Sequence, residues 1–356
     1  MKVLQLIDSL EAGGAERVAV NYANGLLDKV DGSYLCATRT EGLLKANLKQ
    51  EVGYLFLKKK SALDITAIRG LYFFIKKEGI TLIHAHSSSF FLATLVKLIH
   101  PKIKLIWHDH YGNRVNSTFK HIFILKICSL FFSNILVVST DLEKWAKKKL
   151  WTQKIKYIQN YPQLDSSKKQ TVLKGEKNKR IVCLANLRSD KNHTFLIKAF
   201  REILDVYPDW TLHLIGKDNN DQYAHNLKQL IKSLLLTDTV FLYGSCPDTS
   251  NILSQSQIGV LSSKSEGLPL ALLEYGLVGL ATITTDVGQC GTVITNHENG
   301  IVITSNNQEE LCKALRFYIE NKKIRQSYSD QLRKHILEEY SEISTLQNIV
   351  KIYNRL

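Results

Sequence analysis

Gln257-Ile-Gly-Val-Leu-Ser-Ser263 runs directly into Lys264-Ser-Glu-Gly-Leu-Pro-Leu-Ala-Leu-Leu-Glu274, and Gly279-Leu-Ala-Thr-Ile-Thr-Thr-Asp286 follows. The two outer stretches are short apolar runs of the kind that form buried strands. The middle stretch carries a helical apolar pattern behind Pro269, which suits the first turn of a helix because its missing N–H costs nothing there. Strand, loop, helix, strand is the repeating unit of a doubly wound α/β sheet. Glu266 and Gly267 then fall in a loop at a strand's carboxyl end, where open sheets bind ligands. Glu274 falls about a turn and a half inside the helix.

The free N–H groups of such a helix start, beside a glycine, suit an anion such as a phosphate. Carboxylates on both sides can accept hydrogen bonds from sugar and ribose hydroxyls. The combination suits a nucleotide sugar. A Glu in a first turn also serves the helix dipole, so the strand-end setting carries the reading.

Working outward, the first half alternates strands and helices. Strands are expected at Val3 to Ile7, Tyr34 to Thr38, Thr81 to Ala85, Lys104 to His108 and Ile135 to Ser139. Helices are expected at Ala15 to Leu27, Ile65 to Lys77 and Phe90 to Ile99. This alternation argues a parallel sheet with helices on both faces. The polar run Asp165 to Lys179 lacks apolar periodicity and reads as a linker. A second series begins at Arg180, with strands at Arg180 to Ala185, Thr211 to Ile215, Val240 to Tyr243, Ile258 to Leu261 and Ala281 to Thr284. Glu309 to Tyr340 reads as helical. The division is 1–165, a linker at 166–179, 180–340, and a segment 341–356 returning to the first domain. Two Rossmann-like domains facing across a cleft is the economical architecture for 356 residues.

Hydrophobic residues at 44% and charged residues at 22% place the chain among soluble globular proteins. The six cysteines form no C-x-x-C pair, as expected for reduced, buried thiols. The N-terminus enters a strand at once and lacks the apolar region of a signal peptide, so a cytoplasmic location is expected. The net charge of +14 asks for an anionic partner. No zinc finger, KH or RNP-type motif accompanies it, which argues against nucleic acid. An anionic membrane surface is the other candidate. Leu142, Trp145, Ala146 and Leu150 fall near one helical face among lysines, and Phe119 to Phe132 is apolar but too short to span a bilayer. Both could lie on the inner face of the cell membrane; a core helix beside a solvated lysine face is the competing reading.

Several motifs stand in order along nearly the whole chain. They are Gly13-Gly-Ala-Glu-Arg17, His108-Asp109, Leu187-Arg-Ser-Asp-Lys-Asn192, Leu214-Ile-Gly-Lys-Asp218, Phe241-Leu-Tyr-Gly244, the Glu266/Glu274 pair and Asn299-Gly-Ile-Val302. Together they resemble glycosyltransferase family 4, retaining enzymes of the GT-B fold. The resemblance implies that the Gly13–Gly14 loop closes over the donor phosphates or the acceptor. It implies that Glu274 binds ribose hydroxyls, that Glu266 holds sugar hydroxyls with the N–H groups of Gly267 and Leu268 nearby, and that Gly244 meets the nucleobase. Arg188 and Lys191 would clamp the diphosphate and stabilise the departing charge. His108 matches the family's cleft histidine, with His110 as the alternative; His84 and His86 stand at a strand end with packing and site roles both open. The family's second Gly and Glu after Asp286-Val-Gly288 are replaced here by Gln289, Cys290, Gly291 and Thr292.

The expected chemistry is transfer of a hexose-type sugar from a UDP- or GDP-sugar to an acceptor hydroxyl, with retention. The resemblance implies front-face attack. No D-x-D or H-E-x-x-H set appears, so neither a metal nor another cofactor is expected. The acceptor would be a lipid-linked or other oligosaccharide in surface polysaccharide assembly. The alternatives are a nucleotide-sugar epimerase of the same fold, or a nucleotide-sugar-binding protein without catalysis.

Overall fold

The computed structural model describes residues 1–11, 13–111, 114, 119–152, 154–164 and 169–356, with the side chains of 119–121 left aside. The described chain forms two compact units, Met1–Tyr161 with Glu342–Leu356, and Pro162–Ser341.

The first unit runs β1 (Lys2–Ser9), α1 (Gly14–Gly25), β2 (Gly32–Thr40), β3 (Gly53–Phe56), α2 (Ile65–Glu78), β4 (Leu82–His86), α3 (Phe90–Ile99), β5 (Lys104–Asp109), α4 (Phe119–Cys128), β6 (Asn134–Val137), α5 (Thr140–Lys149) and β7 (Ile155–Tyr157). Its parallel sheet is ordered β3-β2-β1-β4-β5-β6-β7. Leu4, Leu6, Ile83, Ala85, Leu105 and Trp107 fill one apolar core on this sheet. Local chemistry fixes the helix ends: Asp64 and Ser139 accept from the N–H groups of Ala67 and Leu142, and Gly79 closes α2 in the left-handed region.

The second unit runs β8 (Arg180–Leu184), α6 (His193–Leu204), β9 (Thr211–Ile215), α7 (Gln222–Ser233), β10 (Val240–Gly244), α8 (Thr249–Ser254), β11 (Ile258–Leu261), α9 (Leu270–Val278), β12 (Ala281–Thr285), α10 (Cys290–Val293), β13 (Ile301–Ile303), α11 (Gln308–Glu320) and α12 (Lys322–Glu339). Its sheet is ordered β10-β9-β8-β11-β12-β13. Both orders reverse direction beside the first strand, as in dinucleotide-binding sheets. The last helix, α13 (Glu342–Tyr353), packs in the first unit, burying Leu346, Ile349, Ile352 and Tyr353.

Three differences from the sequence reading have physical causes. The edge strands β3, β7 and β13 are only three or four residues long, too short to give a pattern. The single helix expected from Glu309 to Tyr340 is broken at Asn321, whose backbone N–H and side-chain amide both bond Phe317 O and so end α11. The run 166–179 read as a linker is, from 169 onward, held on the second unit. Asp248 accepts from Gln170 N, Thr171 N and Thr171 Oγ1 at 2.8 Å each, which holds its carboxyl at about 2 against the opposing effect of burial. The Arg180 guanidinium donates to the carbonyls of Leu173, Lys174 and Gly175. Residues 166–168 of that run lie outside the described residues.

Candidate functional site

In the second unit, β8 ends in the 3-10 turn Ser189–Lys191 and β11 ends in the loop feeding α9, side by side because β8 and β11 are neighbours. The two loops are bonded together. Lys264 N donates to Asp190 O at 2.8 Å, Ser262 Oγ to Lys191 O at 3.1 Å, and Thr285 Oγ1 to Ser263 O at 2.6 Å. Lys191 Nζ lies 2.7 Å from Glu266 Oε1 and 3.7 Å from Asp190 Oδ2. Burial opposes the lysine charge, but the Glu266 carboxylate outweighs it and holds the ammonium above its usual range. Ser263 Oγ donates to the same Glu266 oxygen at 2.6 Å. Among the described residues both of these bonds go to Oε1, and Oε2 accepts none. Arg188, nearly half exposed, has its Nε 3.1 Å from Asp190 Oδ1.

Pro269 is the N-cap of α9 rather than its first helical residue, and it offers no side-chain cap to the N–H groups behind it. Gly267, Leu268 and Glu274 are buried there, Glu274 on α9 itself. The sequence reading gave Gly288 no role, yet it shapes this loop. Its φ is +57°, and a Cβ would stand 2.2 Å from Glu266 O. Gln289 N donates to Gly267 O at 2.9 Å, and Thr292 Oγ1 turns back to Gln289 O. The departure from the family pattern therefore sits directly against the Glu266–Gly267 loop. Gly244 ends β10 at φ +68° with open space where a Cβ would be, so backbone conformation, not crowding, favours glycine.

In the first unit, Gly13 is the N-cap of α1 and Gly14 its first residue. A Cβ on Gly13 would meet the Glu16 carboxylate, whereas Gly14 faces open space. Ala12 beside them lies outside the described residues.

The histidines behave differently from the sequence reading. His84 and His86 alternate along β4, His86 is in register with His108 on β5, and Gln5 on β1 is in register with His84. The four rings of His84, His86, His108 and His110 stack into a layer with Tyr22, and Tyr353 of α13 stands edge-on to His84. Tyr353 OH lies 2.6 Å from His84 Nδ1, and His84 Nε2 lies 3.2 Å from His108 Nδ1. Gln5 Oε1 is 2.9 Å from His86 Nε2, and His86 Nδ1 is 2.9 Å from His110 Nε2. Burial depresses every ring, to about 3 at His84 and His110 and well below 6.5 at His86 and His108. His108, expected to line open space, is wholly buried; His110 carries the exposure. The pattern H-x-H on two adjacent strands was the available signal, since alternate residues share a sheet face.

Ring nitrogens of His84, His86 and His108 lie within 4.8 Å of one another, a spacing compatible with a cation. The rings stand nearly parallel, 12° between His84 and His86 and 21° between His84 and His108, so their lone pairs do not converge. Both nitrogens of His84 and of His86 are engaged, and only His108 Nε2 is buried without a partner. The set fits a hydrogen-bonded layer better than a metal centre.

On α5 and at its C-cap, Leu142, Trp145, Ala146 and Leu150 are buried in the first unit's core, which corrects the reading of that face as membrane-directed. On α4 and the turn behind it, Phe123, Ile124, Ile127 and Leu130 are 40% to 62% exposed. Trp151 is exposed with Lys126 Nζ 5.1 Å from its ring centre. His121, which interrupts this apolar stretch, has no described side chain. Among the described residues no helix is long and apolar enough to cross a membrane.

Residues 165–335 match the family model of glycosyl transferases group 1, and residues 12–161 match that of glycosyltransferase family 4. An uncharacterized glycosyltransferase of Haemophilus influenzae is 28% identical over 90% of this chain and 91% of that protein. The UDP-Gal:alpha-D-GlcNAc-diphosphoundecaprenol alpha-1,3-galactosyltransferase of Escherichia coli is 23% identical over 82% of this chain and 79% of its own. The crystal structure of Anabaena Alr3699/HepE in complex with UDP and glucose superposes with a TM-score of 0.84 at 17% identity, covering all of both chains. With the two family models spanning nearly every residue and both sheets in Rossmann-like order, the chain belongs to the group 1 glycosyl transferases of family 4, enzymes of the GT-B fold.

Proposed function

We propose that this enzyme moves a hexose-type sugar from a nucleotide diphosphate sugar to a hydroxyl of a lipid-linked saccharide, with retention at the anomeric carbon, in surface polysaccharide assembly. The observation that carries the donor half is the part-buried Lys191–Glu266 pair beside the start of α9, where Pro269 offers no side-chain cap. Arg188, Lys191 and the α9 N–H groups supply positive charge for a diphosphate. Glu266 Oε2 and Glu274 supply acceptors for sugar and ribose hydroxyls, and Gly244 gives the nucleobase close approach to backbone. A uridine or guanosine base fits this reading; the HepE structure, which holds UDP and glucose, supports uridine for that fold.

The first unit takes the acceptor, with Gly13 and Gly14 at its edge. His110 rather than the buried His108 meets it. The Escherichia coli relative, which acts on a diphosphoundecaprenol-linked sugar, supports a lipid-linked acceptor, and the exposed α4 face supports peripheral attachment to the inner membrane face.

A thermal-shift panel of UDP, GDP and their sugars tests the donor assignment. A matched ligand at a hundred times its dissociation constant stabilises the fold by about 2.7 kcal/mol. A stabilising donor should then give a radiolabelled lipid-linked product with an α linkage. Stabilisation by none of the panel would remove the reading.

A further inference from the structure

At the carboxyl end of the first sheet, four segments bring together a second charged cluster that the donor chemistry does not use. Asp8 lies near the end of β1, Thr38 and Arg39 near the end of β2, Lys59 just after β3, and Ser88 in the turn after β4. The Asp8 carboxylate is taken up by hydroxyls: Thr38 Oγ1 donates to Oδ1 at 2.5 Å and Ser88 Oγ to Oδ2 at 2.6 Å. Arg39 Nε stands off at 3.8 Å, its side chain 43% exposed.

Lys59 is only 7% exposed. Its backbone N–H is bonded to Thr38 O at 2.7 Å, which fixes the chain, yet among the described residues its ammonium has no hydrogen bond and no carboxylate within 4.0 Å. Burial lowers its proton affinity, and the more distant Asp8 and Asp64 do not make good the loss, while Arg39 adds to it. The stem of Lys59 is buried while its ammonium still reaches the surface, which leaves the charge open to a ligand. Lys58 and Ser87, the residues just before Lys59 and Ser88, both hold left-handed backbone, at φ +54° and +50°.

We propose that Lys59 and Arg39 form an anion subsite for a phosphate ester or diphosphate carried by the acceptor. Two cations match the several oxygens of such a group, while Asp8, its oxygens taken up by the Thr38 and Ser88 hydroxyls, keeps Arg39 near without neutralising it closely. The sheet edge is the one that carries Gly13 and Gly14 after β1, so the subsite extends the acceptor reading of this unit and rests on it.

Calorimetric titration of the full chain with inorganic pyrophosphate and with farnesyl diphosphate, at matched ionic strength, tests this. The background is Lys191→Met/Glu266→Gln, which removes the second unit's charged pair. Both probes are expected to bind that background, and adding Lys59→Met should raise both dissociation constants at least tenfold. Arg39→Ala, at an exposed side chain, should raise them several-fold, which keeps the test valid if Lys59→Met fails to fold. Lys59→Arg should retain binding. Unchanged binding after both substitutions would mean an adventitious ion only. Binding of pyrophosphate without farnesyl diphosphate would point to free phosphate, and loss of both probes in the background alone would assign them to the second unit; each outcome overturns the proposal. No donor or transfer enters the measurement, so a negative result leaves the proposed reaction standing.

Discussion

Lys191 and Glu266 are each visible as parts of separate sequence motifs, but their contact across 75 residues is not. It depends on β8 and β11 being neighbours, which only the sheet order provides. The pairing changes how a substitution must be read. Removing Lys191 alone leaves a carboxylate that is 8% exposed without its counter-charge, at a cost of about 3–5 kcal/mol. A loss of turnover in Lys191→Met would therefore mix unfolding with chemistry. In Lys191→Met/Glu266→Gln both charges are gone, and urea denaturation should show most of the lost stability restored. Transfer should stay depressed about 100-fold or more, the scale of a missing donor at a developing anion. If turnover returns together with stability, the pair is structural. Gly288 teaches a related lesson: Asp286-Val-Gly288 was legible as a motif, but only the path of the chain shows that Glu266 O fills the space a Cβ would need.

At the scale of elements, the sequence placed most strands and helices because buried parallel strands and amphipathic helices differ in period. What it concealed was the second face of the first sheet. One face is aliphatic, whereas the other carries Gln5, His84, His86 and His108 under Tyr22 and Tyr353. Tyr353 lies 269 residues from His84, so no local pattern announces the layer. Its energetic consequence is a sensitivity to acid. The four rings stay neutral in the fold, near 3 at His84 and His110 and well below 6.5 at the others, while in the unfolded chain they titrate near 6.5. Above pH 6.5 neither state binds these protons and stability is full. As pH falls from 6.5 toward 3, the unfolded chain takes protons the folded chain refuses, and each ring removes up to about 1.4 kcal/mol per pH unit. Urea midpoints measured between pH 7.5 and 5 should fall along this slope, and His86→Gln should flatten it by one proton. An unchanged slope in that variant would mean the layer does not hold its rings neutral.

For the whole molecule, the alternation of strands and helices made two α/β halves legible, and the charge of +14 made an anionic partner legible. Which surface meets that partner was not, because an apolar helical face reads the same whether it packs on a core or faces water. The α5 face is core and its lysines 147–149 form the last turn, whereas α4 presents Phe123, Ile124 and Ile127 outward with Leu130 and Trp151 following. Apolar insertion and lysine attraction are separable contributions to membrane binding. In flotation with vesicles of graded anionic lipid content, Phe123→Gln/Ile127→Gln/Leu130→Gln should abolish recovery with the lipid at every composition. Lys147→Gln/Lys148→Gln/Lys149→Gln should still float on strongly anionic vesicles at low salt. Its binding should weaken by about 1 kcal/mol for each lysine near the surface, an effect that vanishes as salt is raised. Neither variant touches the donor loops, so transfer to a soluble acceptor analogue should be unaffected in both. If the wild-type chain floats equally well on neutral vesicles, the charge has another partner; if it does not float at all, the α4 face serves something other than lipid.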